Sequence, residues 1–503
     1  MGISVHERAN ELEVSIPLTA TDQLHYRVDG QSLVISDDLR ELYDEAYQMD
    51  ETAVYSLLQF GAVVPPLSPW KQIRRIVPGK TTLFRSSPIG IADQLEQRPA
   101  SIQPSPRSLD EQISLLVSQL DEVLLKCGEQ SPVIILFSGG VDSGLVAARA
   151  LAVGLKETVL VNYSFGSHDV ESSLAEQMAK HLGLQFVRIE DSGSGDEIAE
   201  VLNNAGRSYR YPFCDHSTLP TYALVRAVTA RFSSTATVLD GTGADGAFGV
   251  FGRARQWQRL YSIPVALRRA GATAYRLFRA WEKNNTIEYY LRLLRRTTQF
   301  SFPLVTVAQN PLQGIGYRLP RIALVEFEAS ANQYLNCLPD ADPREQIAAA
   351  DLAWVCSPIF AQKTKSLFDG TPLHVVYPFL LPSMVDLALN ARNWSGSDQP
   401  KWLLKAALAR QVPADMVYRK KSAFVAPIEQ KFKHWAFLGA FDKLLDSKSA
   451  LNGLVDQRFI RTIRPKLVDG TPMPSQTASF VWAAVFVNCW LEQVTRGTFR
   501  NRQ

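Results

Sequence analysis

The stretch of this chain best equipped for chemistry is Ser138-Gly139-Gly140-Val141-Asp142-Ser143-Gly144. Two adjacent glycines let the backbone approach a ligand with no Cβ in the way. Ser138 and Ser143 can donate hydroxyl hydrogen bonds, and the Asp142 carboxylate can hold a magnesium ion. The run Val133-Ile134-Ile135-Leu136-Phe137 precedes the loop and the helix-like stretch Leu145 to Leu151 follows it. Strand, tight glycine turn and helix point several backbone N–H groups and a helix dipole at one spot, a nest suited to pyrophosphate. No lysine follows the glycines, so this is not the G-x-x-x-x-G-K-[ST] loop that handles a γ-phosphate. The structural alternative is a glycine-serine turn of an ordinary α/β domain; the strand before, the Asp-Ser within and the helix after disfavour it.

The elements around the loop indicate what must hold it. From Leu109 to Leu125 apolar residues recur at helical spacing. Strand-like segments at Thr158–Phe165 and Gln185–Ile189 flank a helix from about Glu171 to Leu182, and Thr237-Val238-Leu239 reads as a short buried strand. Strands alternating with helices imply an α/β fold with a doubly wound parallel sheet, whose ligands sit at the carboxyl ends of the strands. Residues 1 to about 100 are β-leaning, with alternating runs at Leu33–Ser36 and Thr81–Phe84 and a helix start at Asp37–Leu42. The proline-bearing stretch Ile91–Arg107 reads as a linker, and beyond about residue 250 the pattern is mainly helical. The expected division is a small β-rich unit over 1–100, an α/β unit over 108–440 and a helical extension over 441–503.

Bulk composition narrows the function classes. At 503 residues the chain is long enough for two or three cores. Apolar residues make up 46% and charged residues 20%, and a net charge of +3 gives no global reason to expect nucleic acid. Cys127, Cys214, Cys337, Cys356 and Cys489 have no C-x-x-C spacing, so neither a disulfide framework nor a zinc knuckle is expected. No stretch approaches the ~20 apolar residues of a membrane span, and the N-terminus is polar. A soluble, cytoplasmic protein with no membrane partner is the expectation.

Ser138–Ser143 resembles the SGGxDS pyrophosphate loop of ATP pyrophosphatases, which cleave ATP to AMP and pyrophosphate. Three further segments resemble the asparagine synthetase superfamily. Asp240-Gly241-Thr242-Gly243-Ala244-Asp245-Gly246-Ala247-Phe248-Gly249 is similar to its (S)GxGxDExFGG stretch, and Tyr377-Pro378-Phe379-Leu380 to its R-x-PFLD element. Gln399–Lys405, Val412-Pro413 and Arg419–Phe424 with Pro427-Ile428 are similar to its T-K-x-x-L-R, L-P and R-x-K-x-G-F-x-x-P-I series. The likeness covers roughly residues 110 to 435. It implies a fold of the ATP-pyrophosphatase type and ATP with Mg²⁺ as cofactors. It also implies chemistry in which a carboxylate is adenylated, pyrophosphate leaves, and an amine then displaces AMP. Carried over residue by residue, it makes Asp142 and Asp245 metal ligands and Lys421 the lysine that reaches the phosphates. Ser138, Gly139, Gly140, Asp142, Ser143 and Gly243 line the nucleotide, with Leu136, Ser164 and Gly241 presenting backbone to adenine and ribose. Thr242 occupies the position that handles the incoming amine. For Asp245 the alternative is a turn-forming aspartate, and Lys420 beside Lys421 reads as a solvated surface lysine.

The N-terminal hundred residues resemble only the tail of that family's glutaminase domain, through Phe60–Pro66 and Ile73–Gly79. Position 2 is Gly2, where glutamine-hydrolysing members carry a cysteine nucleophile. The expectation is a degenerate remnant and no ammonia made by this chain. Other departures bear on the substrate. Gly246 replaces the acid of the DE pair, Thr242 stands where asparagine synthetases have Glu and β-lactam synthetases Tyr, and Leu381 replaces the PFLD aspartate. A threonine is no general base near neutral pH without help. Arg253–Arg296, with eleven basic and two acidic residues, is either a solvated face or a surface that steers an acidic substrate.

The leading expectation is an amide-forming ligase without glutaminase activity, similar to β-lactam synthetases and lasso-peptide cyclases, acting on a small-molecule or peptide carboxylate in specialised biosynthesis. Its nucleophile would be an amine on the substrate or ammonia, with a separate partner protein or glutaminase possible. The alternatives are ammonia-dependent asparagine synthesis, an RNA-thiolation enzyme (disfavoured by the missing cysteine motif) and a degenerate ATP-binding scaffold.

Overall fold

The computed structural model describes residues 3–8, 10–87, 90–96, 108–130, 132–166, 169–192, 195–232, 234–249, 262–264, 266–268, 270–271, 348–390, 400–419, 428–473 and 475–497. Its centre is a five-stranded sheet of β8 (Val133–Leu136), β9 (Val159–Ser164), β10 (Gln185–Glu190), β11 (Ala236–Leu239) and β12 (Leu373–Val376). The spatial order is β10-β9-β8-β11-β12 and every pairing is parallel. From the central β8 the chain winds out to β9 and β10, then crosses back to β11 and continues to β12. The winding reverses between β8 and β11, and in such sheets the ligand crevice opens there, beyond the carboxyl ends.

Alternate residues of these strands feed two cores, as the pleat requires. Val133, Ile135, Leu160 and Leu239 face a layer that includes helices Leu109–Gln130, Val141–Ala152, Val170–Leu182 and Trp402–Leu408. Ile134, Val161 and Val238 face the helices Thr218–Arg231 and Gln362–Phe368. Helices on both faces make the sheet doubly wound, as expected from the strand–helix alternation.

The N-terminal part holds two small antiparallel sheets. One has the order β1-β2-β6-β7, from Ser4–Arg8, Glu11–Ser15, Thr81–Ser87 and Gly90–Glu96; the other is β4-β3-β5, from Ser32–Ser36, His25–Asp29 and Arg74–Arg75. Val14, Ile16, Tyr26, Ile76 and Phe84 form an apolar cluster there. The helical C-terminal part does not stand apart. Helix Ser475–Thr495 contributes Trp482, Phe486 and Trp490 to a core shared with Leu57, Val64 and Trp70, and the Trp70 and Trp490 rings lie 5.8 Å apart.

One expectation needs correction. Residues 91–96 of the expected linker belong to β7, which pairs along β6 from Ser87↔Gly90 to Thr81↔Glu96. Its polar residues made an edge strand resemble a linker. Beyond residue 250 the described chain is mainly helical, as expected, with one short strand, Leu373–Val376, forming the sheet edge β12. The basic stretch Arg253–Arg296 lies almost wholly outside the described residues.

Candidate active site

The first loop leaves the carboxyl end of β8, where its position is fixed from β9. The Phe137 N–H donates to Val161 O (2.7 Å), and buried Asn162 donates from Nδ2 to Phe137 O (2.8 Å). Ser172 Oγ in turn donates to Asn162 Oδ1 (2.5 Å), tying helix Val170–Leu182 into the same network. Gly139 has φ 66°, and a Cβ there would lie 2.5 Å from Ala175 Cα, so both the turn and the close helix exclude a side chain. Within the loop, the Ser138 N–H donates to Ser143 Oγ (3.2 Å), and the Gly140 N–H to Ser138 Oγ (3.3 Å). Gly140 caps helix Val141–Ala152 without a side-chain bond, and Asp142 sits in the first turn. Leu136 ends β8, and Ser164 ends β9 with its hydroxyl turned to the backbone of Gly166.

The second loop leaves β11, next to β8 in the sheet. Asp240 receives both the Thr242 N–H (2.9 Å) and the Thr242 hydroxyl (2.8 Å) on one oxygen, Oδ1. Gly241 passes so close to the first loop that a Cβ would lie 3.3 Å from Asp142 Cβ. Gly243, at φ 102°, lies against Leu380, and Asp245 follows in the short helix Ala244–Phe248. The expected site residues Ser138, Gly139, Gly140, Asp142, Ser143, Gly241, Thr242, Gly243 and Asp245 thus lie on two adjacent loops at the switch point. Lys421 lies outside the described residues.

The two carboxylates expected to bind metal converge on one cation, the ammonium of Lys401. Its Nζ is 2.6 Å from Asp142 Oδ2 and 2.7 Å from Asp245 Oδ1. Lys401 and Asp142 are mostly buried, while the Asp245 side chain is exposed. Burial alone would lower the Lys401 pKa, but Asp142 and Asp245 outweigh it and hold it above the usual lysine value. A positive group seated between these oxygens shows that the pair can embrace a cation. Among the described residues, no group of three or more His, Cys, Asp or Glu side chains could hold a metal. Two protein carboxylates, with substrate phosphates and water completing the shell, is the manner in which Mg²⁺ is commonly held.

Sequence reasoning gave no role to Lys401, Arg419 or Asp240. Lys401 is the first of the two lysines of the Gln399–Lys405 segment, at the K of T-K-x-x-L-R, and that match was the available signal. Arg419, likewise inside a quoted segment, donates from Nη2 to Gly139 O (2.9 Å) and pairs through Nη1 with Glu171 (3.3 Å). It fastens the start of the Arg419–Phe424 segment to the first loop. Asp240, which begins the second quoted stretch, is the group that holds the Thr242 hydroxyl.

The Asparagine synthase family pattern matches residues 121–492, about three quarters of the chain. No curated protein matches it. Among solved structures, the chain is similar to a glutamine-dependent NAD⁺ synthetase from Acinetobacter baumannii in complex with ADP. That likeness has 18% identity and a TM-score of 0.20, covering 34% of this chain and 31% of the other, so it spans less than a third of that protein. An NMN synthetase from Francisella tularensis is similar at 14% identity and a TM-score of 0.22, over 46% of this chain and 96% of the other. Likenesses this distant carry no weight beside the family match, which spans most of the chain: the chain belongs to the asparagine synthase family.

Proposed function

We propose that the chain forms an amide bond by adenylating a carboxylate, and that its nucleophile is an amine, free or carried by the substrate. The supporting observation is the convergence of Asp142 and Asp245 on a single cation at the switch point of the sheet. A substrate carboxylate oxygen would attack the α-phosphorus of ATP, and the bond to the bridging oxygen would break, releasing pyrophosphate. The amine nitrogen would then attack the acyl carbon, lose a proton and expel AMP.

The residues of the two loops and the two lysines would divide the work. The N–H groups of the first loop and the hydroxyls of Ser138 and Ser143 would bind pyrophosphate. Asp142 and Asp245 would hold Mg²⁺, which when bound neutralises charge on the departing pyrophosphate. Lys401 would turn from the carboxylates to the phosphates, and Lys421, on the strength of its motif, would reach the developing charge. Asp240 holds the Thr242 hydroxyl as a donor, so a proton taken by Thr242 from the amine could be passed to Asp240.

The four described cysteines are all buried, and burial pushes each thiol above its usual pKa. None is a reactive thiolate near neutral pH. Ammonia, if it is the nucleophile, would not be released by any of these four thiols. A screen of candidate carboxylates with Mg·ATP tests the reading. Pyrophosphate release should appear with the true substrate and vanish in folded Asp142→Asn and Asp245→Asn variants. Near-normal turnover in either variant would refute the metal role of that residue.

A further inference from the structure

Position 246 is glycine where the matching stretch of the family carries an acid beside the metal-site aspartate. The space such a side chain would need is not empty. A Cβ on Gly246 would lie 2.7 Å from Asp351 Oδ2, 3.0 Å from Cys356 Sγ and 3.2 Å from Leu352 Cδ2. Asp351 comes from a different element, the residue before the π-helical turns Leu352–Ala361, which hold Pro358 in their interior. Such wide turns are uncommon and recur at functional sites. Cys356, buried in those turns, donates its S–H to Asp351 Oδ2 (3.5 Å). Burial first, then the nearby charges of Asp351 and Asp245, push the Cys356 thiol well above its usual pKa, so both carboxylates bear on the same spot.

We propose that Asp351 replaces, from another element, the acidic residue missing after Asp245, and acts as a positioning residue for the metal-binding Asp245. The space that a side chain at 246 would need is taken by the Asp351 carboxylate. Gly246 is buried whereas the Asp245 side chain is exposed, so the two positions face opposite ways on one helical turn. A negative charge behind the turn disfavours any rotamer that folds Asp245 back into the protein, and keeps it aimed at Asp142 and the crevice. The inference rests on the proposed function in one respect, that Asp245 serves Mg·ATP.

The test is a swap. Gly246→Glu alone forces a second carboxylate and its chain into the place held by Asp351, and should lower the thermal unfolding midpoint. Asp351→Ala alone should weaken Mg·ATP binding, measured by calorimetry without acyl substrate, by about 10-fold or more, typical for groups that orient metal ligands. Gly246→Glu with Asp351→Ala restores one carboxylate in one space. It should recover both the midpoint lost in Gly246→Glu and the affinity lost in Asp351→Ala. A purely structural Asp351 would give recovery of the midpoint without recovery of affinity, and that result overturns the proposal, as does wild-type affinity in Asp351→Ala. Failure of the double variant to unfold later than Gly246→Glu would also overturn it. If the wild type bound no Mg·ATP, the ligase reading would fall, while the midpoints would still decide whether Asp351 holds the place of the missing acid.

Discussion

Lys401 adopts φ 59°, a left-handed conformation uncommon for any residue with a Cβ. Its N–H donates to Phe248 O (2.9 Å), so the turn is fastened to the loop that carries Asp245. Strain of this kind, of order 1–3 kcal/mol, persists where the surroundings over-determine it and gathers at functional sites. Removing the ammonium would leave two carboxylates facing each other. Lys401→Met should therefore lose on the order of 2 kcal/mol of stability without metal, between the exposed and buried limits for ion pairs. Mg²⁺ should then raise its unfolding midpoint more than that of the wild type, since no lysine competes for the oxygens; an equal or smaller shift would contradict the cation site. Lys421 is testable from its motif alone. Lys421→Met should bind ATP almost normally yet lose ~10²–10³ in rate, the cost of one preorganised charged donor, whereas Lys420→Met should be near wild type. Rates and ATP affinities of the two variants decide it, and a larger loss from Lys420 would shift the register by one. The loop glycines and both aspartates were legible because their spacing is local. The clasp was not, since Lys401 lies 259 residues from Asp142 and only the closed fold joins them.

Among the elements, four of the five strands of the central sheet could be read because each is a short apolar run bounded by turn residues. β7 and β12 could not, β7 being polar and β12 a short edge strand interrupted by His374. Helix Gln362–Phe368 shows a second feature that periodicity hides. Lys363, buried on this helix, donates from Nζ to Asp215 Oδ2 (2.5 Å) and to Ser217 Oγ, on the chain leading into helix Thr218–Arg231. Burial would raise the Asp215 pKa, but Lys363, His216 and Ser217 together hold the carboxyl down to about 2. Breaking such a buried pair by removing one partner costs about 3–5 kcal/mol, because a charge is left uncompensated. Lys363→Met should unfold far more readily, and Lys363→Met with Asp215→Leu should recover much of the loss. A double variant no better than the single would show that the pair is not what binds the two helices.

Across the whole molecule, the N-terminal sheets are fastened to the α/β core at several points. Thr19 Oγ1 donates to Leu380 O (2.6 Å), directly behind Gly243; the Cys214 N–H donates to Gly61 O (2.7 Å); and the His25 ring lies 6.0 Å from that of Tyr211. A brace for the second loop is thus visible in what the sequence shows only as a glutaminase-like fragment, because a brace is defined by contacts and not by motif. Burial first, then Arg75, drives the His25 pKa from 6.5 down to about 3. The unfolded chain therefore takes up a proton that the folded one refuses, and stability falls as pH drops from 6.5 toward 3. At pH 4.5 this amounts to about 3 kcal/mol. The unfolding midpoint should drop on acidification, and less so in His25→Gln; an unchanged pH dependence would remove His25 as the cause. With its described thiols buried, the pure chain should also form no glutamate from glutamine, and detectable glutamate would show a nucleophile elsewhere in the chain.

In the proposed reaction this site cleaves ATP between the α- and β-phosphates to activate a carboxylate. Phosphorus NMR of the products, with Mg·ATP and a carboxylate that supports turnover, tests it most directly. AMP and pyrophosphate should appear in equal amounts, and neither should form with Asp142→Asn or Asp245→Asn. ADP and inorganic phosphate as the products would contradict it.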